Sequence, residues 1–259
     1  MKLYKDECFV LKSSKLGDAD KLVVLFSKNN GRIDAIAKGA AKILSRIAGS
    51  LDTLNKINAQ FYKGKNLDTL TEITLIDDYA EIKNDLHTIA DIFYLLELIL
   101  SFTKYLDDSE SLYKMFSKFL DIFRENSDKG SILIRSLELQ LLAQLGFGPI
   151  LDTCLHSGRR IVEGDKRVAA SGGYVGYLLL NEIHSQNDYS TTTIPDNILK
   201  IQKFLLSNDL EDALQLRVTK IQENTLKSVH RIWLQGIIEQ RLKSMTFIDQ
   251  INESDNARK

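Results

Sequence analysis

Glu7–Lys38 reads ECFVLKSSKLGDADKLVVLFSKNNGRIDAIAK, and its three apolar runs, Glu7–Leu16, Asp20–Lys28 and Arg32–Lys38, decide the fold. Gly17-Asp18 and Asn29-Asn30-Gly31 break the chain between them. Period-two patterning joined by Asn-Gly type turns predicts antiparallel strands linked by hairpins. Further along, Gly39–Gly49 interrupts the pattern, and Leu51–Tyr62 (LDTLNKINAQFY) and Leu67–Ile76 (LDTLTEITLI) restore it on either side of Lys63-Gly64-Lys65-Asn66. Five short strands with one longer connection after the third predict a small OB-type barrel. An SH3-like barrel fits the same pattern and stays open.

After Asp77 the period changes to that of helices. Apolar residues at Leu86, Ile89, Ile92, Phe93, Leu96, Ile99 and Leu100 predict a helix over Asp85–Tyr105. Leu112–Phe123 and Ile132–Leu145 repeat the pattern, with Gly146 as a stop. The stretch GFGPILDTCLHSGRRIVEGDKRVAASGGYVG is Gly-rich and the least regular part of the chain, and Gly172-Gly173 reads as a turn. Helices resume over Asn197–Ser207, started by Pro195-Asp196, over Leu210–Leu216 and over Ile221–Leu242. The expected class is therefore α+β: an N-terminal five-stranded barrel (1–80), then a mainly α-helical domain (81–246) with an irregular insertion about 147–185, and a polar, disordered tail (247–259).

Composition excludes several function classes. At 259 residues and 44% hydrophobic, the chain buries a real core and is not disordered. Its richest apolar run, Ile89–Phe102, contains Asp91 and Glu97, so it reads as a buried helix and not a membrane span. The charged start MKLYKDECFVLK lacks a signal core, and Cys8 and Cys154 offer no disulfide framework; both point to the cytoplasm. The G-x-x-x-x-G-K-[ST] loop is absent, and Cys154 with His156 lacks an orienting partner for thiol catalysis, so the chain reads as a non-enzyme. His184 and His230 read as solvent or core histidines.

The formal net charge of −1 hides an asymmetry. Residues 1–70 carry thirteen Lys/Arg against seven Asp/Glu, a net +6, and the remainder is −7. A basic first part favours a polyanionic partner. The sharpest feature is AKGAAKILSRIAGSLD, Ala37–Asp52, where Lys38, Lys42 and Arg46 recur every four residues on a Gly/Ala-rich background and no acid occurs before Asp52. Small residues let an anionic partner approach the backbone.

Several segments in order resemble the RecO family of bacterial recombination mediators. They are the "G-x-x-D-K-L-V" turn (GDADKLV), the "N-G-R-I" hairpin, the loop AKGAAKILSR, similar to the family's "A-K-G-A-R/K-x-x-x-S-R", ILIRSLELQLLAQLGFGPILDTC, and RLKSMTFI, in which Met245 stands where the family has Arg. The resemblance covers nearly the whole chain. It implies a DNA-repair mediator that binds single- and double-stranded DNA, anneals complementary strands and, with RecR, helps load RecA onto gaps coated by single-stranded-DNA-binding protein. It places DNA on the loop carrying Lys38, Lys42 and Arg46, with Lys12, Lys15, Lys21 and Arg32 as further phosphate contacts. It further implies that the helical domain takes the acidic C-terminal tail of single-stranded-DNA-binding protein through Arg135, with Arg124 second, although Arg135 also sits at the right spacing to pair with Glu138 along its own helix.

Phe9 and Phe26 read as core, and adjacent Phe61 and Tyr62 should face opposite sides of a strand. Many family members hold zinc with two cysteine pairs here; Cys154-Leu155-His156-Ser157 keeps one cysteine and Ser171–Tyr174 none, so no zinc and no other cofactor is expected. A cytoplasmic, nucleoid-associated protein is the implied setting. The rival reading is a helical interaction scaffold whose barrel does not bind DNA.

Overall fold

The computed structural model describes residues 2–103, 109–183 and 189–238, with 242, 244, 245, 248 and 250. His184 and most of the tail 247–259 lie outside the described residues. The chain forms two compact units, Met1–Lys118 with Leu242–Lys259, and Phe119–Arg241.

In the first unit, β1 (Leu3–Leu16), β2 (Asp20–Ser27), β3 (Gly31–Ala37), β4 (Lys56–Tyr62) and β5 (Asp68–Asp77) close into a barrel of order β1-β2-β3-β5-β4. The pairs are antiparallel except β3 with β5, which run parallel at Ala35–Asp68 to Ala37–Leu70. A parallel closure needs a crossover of a dozen or more residues, which the chain from β3 to β5 supplies. This is the OB arrangement, and it sets the SH3-like alternative aside. A register shift between Val10 and Lys12 lets the long β1 pair with β4 through its first half and with β2 through its second.

Alternation explains the interior. Cys8, Val10, Val23, Leu25, Ile33, Ala35, Ile57, Ala59 and Phe61 fill the barrel, and Ala37, Ala40, Leu51 and Leu70 cap it. Phe61 points inward and stacks on Tyr4 with ring centroids 5.1 Å apart, while Tyr62 is 45% exposed, as adjacent strand positions require. Phe9 and Phe26 are buried on the barrel's other face: Phe9 meets Tyr113 at 4.9 Å and Phe116 at 5.1 Å, and Phe26 meets Tyr113 at 5.6 Å. Tyr113 and Phe116 come from α2 (Ser109–Glu125), so these rings join barrel to helix.

A buried carboxylate sets the second hairpin. Asp6 accepts from the Asn29 amide nitrogen (3.2 Å) and side chain (2.7 Å), from Asn30 Nδ2 (2.6 Å) and from the Ser27 hydroxyl. It satisfies the donors of the Asn-Asn-Gly turn away from water, where unpaired donors would cost most. Asp85 caps α1 (Leu86–Phe102) by accepting from the Thr88 amide at 2.8 Å. Glu97 of α1 accepts from the Ser244 amide (2.8 Å) and hydroxyl (2.5 Å), which joins Ser244 to this unit.

The second unit is built on α3 (Gly130–Gln144), buried from Ile132 to Leu139. Its C-terminus is a Schellman turn: Gly146 has φ +80°, Phe147 N–H donates to Leu142 O (2.8 Å) and Gly146 N–H to Ala143 O (3.1 Å). Packed around it are α4 (Asp196–Ser207), α5 (Lys220–Ile237) and a 3-10 turn at Leu210–Gln215, where a full helical segment is predicted from sequence.

The insertion read as irregular carries regular structure. It contains β6 (Ile150–Cys154), β7 (Arg167–Gly172) and β8 (Tyr174–Leu179), which with β9 (Tyr189–Thr193) form a sheet of order β6-β8-β7-β9. Gly172-Gly173 is the turn of the β7–β8 hairpin. Residues 167–170 are all buried, so the strand shows no alternation to find. A Cβ on Gly236 would lie 2.3 Å from Ser171 Cβ, so only glycine lets α5 approach β7 this closely.

Candidate nucleic-acid interface

The loop from Lys38 to Ala48 leaves β3 at one end of the barrel and is pinned at both of its own ends. At its start, Asp20 Oδ1 accepts from the Gly39 amide (2.8 Å), Ala19 O accepts from the Ala41 amide (2.8 Å), and Ala40 is buried. At its return, Ile47 packs on the barrel core, Lys21 Nζ donates to Ala48 O (3.1 Å), and Leu51 is buried. Lys38, Lys42 and Arg46 are exposed on this loop, and none of their side chains makes a hydrogen bond or ion pair among the described residues. A loop tied at both ends presents its cations at lower entropy cost than a floppy one would.

Register sorts the other candidates. Lys15 pairs with Lys21 and Lys21 with Ala37, so Lys15, Lys21 and the start of the loop share one row across three strands. Lys12 is exposed opposite Val24, a few rungs along the same hairpin. Arg32 is not brought to this row: it pairs with Phe26, five rungs from the Lys21–Ala37 pair or about 17 Å. Its guanidinium is also engaged, with Nε 3.0 Å from Asp34 Oδ2 and Nη2 3.0 Å from Asp34 Oδ1. Lys21 is half-buried on a carbonyl oxygen, so it holds the loop in place. Asp20, the second acid of the GDADKLV turn, is a residue that charge reasoning passes over, since it looks for cations.

In the second unit, Arg135 is only 7% exposed. Its Nη1 lies 2.9 Å from Glu138 Oε2, and that oxygen also lies 2.7 Å from His230 Nδ1. Glu138 and His230 are fully buried, and His230 stacks on Trp233 with ring centroids 5.5 Å apart. Burial pushes the His230 pKa down, against the pull of Glu138. A neutral imidazole leaves one guanidinium facing one carboxylate, a balanced pair. The pairing of Arg135 with Glu138 that their spacing allows is thus formed, in the interior. Arg124 is half-buried and pairs with Asp121 at 3.2 Å.

Around Cys154 the turn is held by ion pairs. Arg159 bridges Glu182 (3.0 Å) and Asp165 (2.9 Å), the Ser157 hydroxyl donates to Glu182, and Cys154 N–H donates to Arg159 O (2.8 Å). Ser157, then Cys154 and Arg159, hold the Glu182 carboxyl below its usual range, and the Val162 amide with Arg159 does the same for Asp165. Among the described residues no group of three or more His, Cys, Asp or Glu is placed to hold a metal ion, and no helix is long and apolar enough to cross a membrane.

The fold and this loop define a class: an OB-type barrel protein with a second unit of helices around a small sheet. Family models assign it further. "Recombination protein O N terminal" matches residues 1–79 and "Recombination protein O C terminal" matches 83–246, so the chain belongs to the recombination protein O family. It is similar to proteins named DNA repair protein RecO from Symbiobacterium thermophilum (26% identical, covering 98% of this chain and 100% of the relative), Pelotomaculum thermopropionicum (28%; 98% and 96%) and Thermoanaerobacter sp. (27%; 97% and 99%).

Proposed function

We propose that this protein acts in DNA repair and recombination as a non-catalytic mediator: it binds single- and double-stranded DNA, anneals complementary strands, and with RecR assists the loading of RecA onto gaps coated by single-stranded-DNA-binding protein. Family membership supports the repair role. The observation that carries the DNA-binding reading is the pinned loop at one end of the barrel, with the side chains of Lys38, Lys42 and Arg46 exposed and unpaired among the described residues. Lys15 and Lys12 extend that surface, Lys21 positions the loop, and Arg32 belongs to a separate, neutralised spot.

Cations on the loop displace condensed counterions from phosphate, and the entropy of their release drives association. With both strands neutralised, complementary segments approach and pair without nucleotide hydrolysis. The barrel unit, about residues 1–80, is the nucleic-acid module in this reading, and the unit after it carries partner contacts. Arg135 supports those contacts from the interior, and the acidic tail of single-stranded-DNA-binding protein meets the half-buried Arg124.

The test is annealing of two complementary oligonucleotides, each coated with single-stranded-DNA-binding protein, at several salt concentrations, for wild type and Lys38→Ala/Lys42→Ala/Arg46→Ala. Wild type anneals without ATP and the triple variant does not. Absence of DNA binding by wild type at low salt would overturn the reading in favour of an interaction scaffold.

A further inference from the structure

The same loop carries two side chains that electrostatics does not explain. Ile43 and Leu44 are 102% and 93% exposed; no other large hydrophobic among the described residues exceeds nine-tenths. Ser45 N–H donates to Lys42 O at 3.0 Å, so Ile43 and Leu44 are the two central residues of a β-turn. Neither has a positive φ. Those positions ordinarily go to Pro, Asp, Asn, Ser or Gly, each for a conformational reason that isoleucine and leucine lack. The flanking apolar residues are satisfied, with Ala40 buried and Ile47 packed on the core, so the chain is able to tuck aliphatics here and does so on both sides. The turn instead holds its two largest apolar groups in water, between Lys42 and Arg46.

From this juxtaposition we infer that Ile43 and Leu44 form an apolar wedge that inserts against unstacked nucleobases while Lys38, Lys42 and Arg46 hold the adjoining phosphates; the inference rests on the DNA-binding reading above. A nucleic acid supplies both halves of the match: the phosphates are anionic, and the base faces are apolar and lie next to them at every nucleotide. Aliphatic side chains inserted at a base step unstack it, and base contacts of this kind tolerate any sequence. For an annealing protein the consequence is mechanistic. A wedge keeps a captured strand unstacked and its base edges available for pairing, which charge neutralisation alone does not do. Apolar contact also releases no counterions, so its contribution is independent of salt.

The experiment uses the full chain and an oligonucleotide carrying 2-aminopurine, whose emission rises on unstacking. Wild type raises the emission on binding. Ile43→Ser/Leu44→Ser abolishes the rise and weakens single-strand binding by roughly fivefold or more with the salt slope unchanged. The swap Ile43→Leu/Leu44→Ile keeps both. The charge triple variant behaves differently, losing slope. No rise with wild type, or a rise retained by the serine variant while binding stays salt-dependent, overturns the wedge and leaves the DNA-binding reading standing. Absence of DNA binding by wild type overturns both. Binding of vesicles containing phosphatidylglycerol that the serine variant loses, with DNA signals unchanged, assigns the wedge to a lipid surface and also overturns it.

Discussion

Arg46 and Arg135 are the same residue type in two opposite settings. In the barrel unit, Arg46 stands exposed with Lys38 and Lys42 on a loop whose ends are tied down and whose cations have no partner among the described residues. In the second unit, Arg135 lies in the interior against Glu138, which also faces a neutral His230. Exposed charge without a partner is available to a ligand and contributes little to stability; buried charge with a partner is held for the fold and is costly to disturb. Free surface cations and a sealed core ion pair thus draw on one chemistry, and burial separates them.

The largest effect expected from this contrast is in the interior. Glu138→Ala strands the Arg135 charge and should destabilise the second unit by about 3–5 kcal/mol. Trp233, the single tryptophan, stacks on His230 and reports unfolding directly in a denaturant titration. A loss below about 1 kcal/mol would mean the pair is replaced by solvent and would break the contrast. The loop charges should show the reverse: Lys38→Ala/Lys42→Ala/Arg46→Ala leaves stability within about 0.5 kcal/mol of wild type, while the slope of log K against log salt for a single strand falls by about 2 for three lost phosphate contacts.

A smaller effect sharpens the protonation state of the buried cluster. Because the His230 pKa is depressed in the folded protein, the unfolded chain binds the proton more readily. Stability is then full above about pH 6.5 and falls as pH drops below it, by at most about 1.4 kcal/mol per pH unit. His230→Gln should flatten the curve between about pH 6.5 and 5, before carboxylates begin to titrate; an unchanged slope would place the acid sensitivity elsewhere. The smallest effect is Arg32→Ala. With Asp34 already against the guanidinium and the residue far from the loop, single-strand affinity should move less than about twofold in a filter-binding titration.

Much of the architecture was legible in the residues. The alternation and Asn-Gly punctuation of Glu7–Lys38 gave the first three strands to within a few residues, because one face of each is buried and a period of two follows. The long helices, the Gly146 stop and the opposite facing of Phe61 and Tyr62 were equally readable, whereas which of the two rings points inward was not. The sheet after Gly146 was not: its strand β7 is buried throughout Arg167–Ala170 and so shows no alternation. Of the loop, the cations were visible as a spacing, but the anchors Asp20 and Lys21, and the full exposure of Ile43 and Leu44, were not: each depends on what lies across the barrel.

Local sequence by itself determined the barrel strands, the long helices and the turns between them, and that the first seventy residues carry the excess of positive charge, since these follow from side-chain period, backbone stereochemistry and composition. Only the tertiary structure decided which cations face solvent, which arginine is sealed against a carboxylate, and that β3 closes on β5, because burial and long-range pairing are properties of residues far apart in the chain brought together by the core.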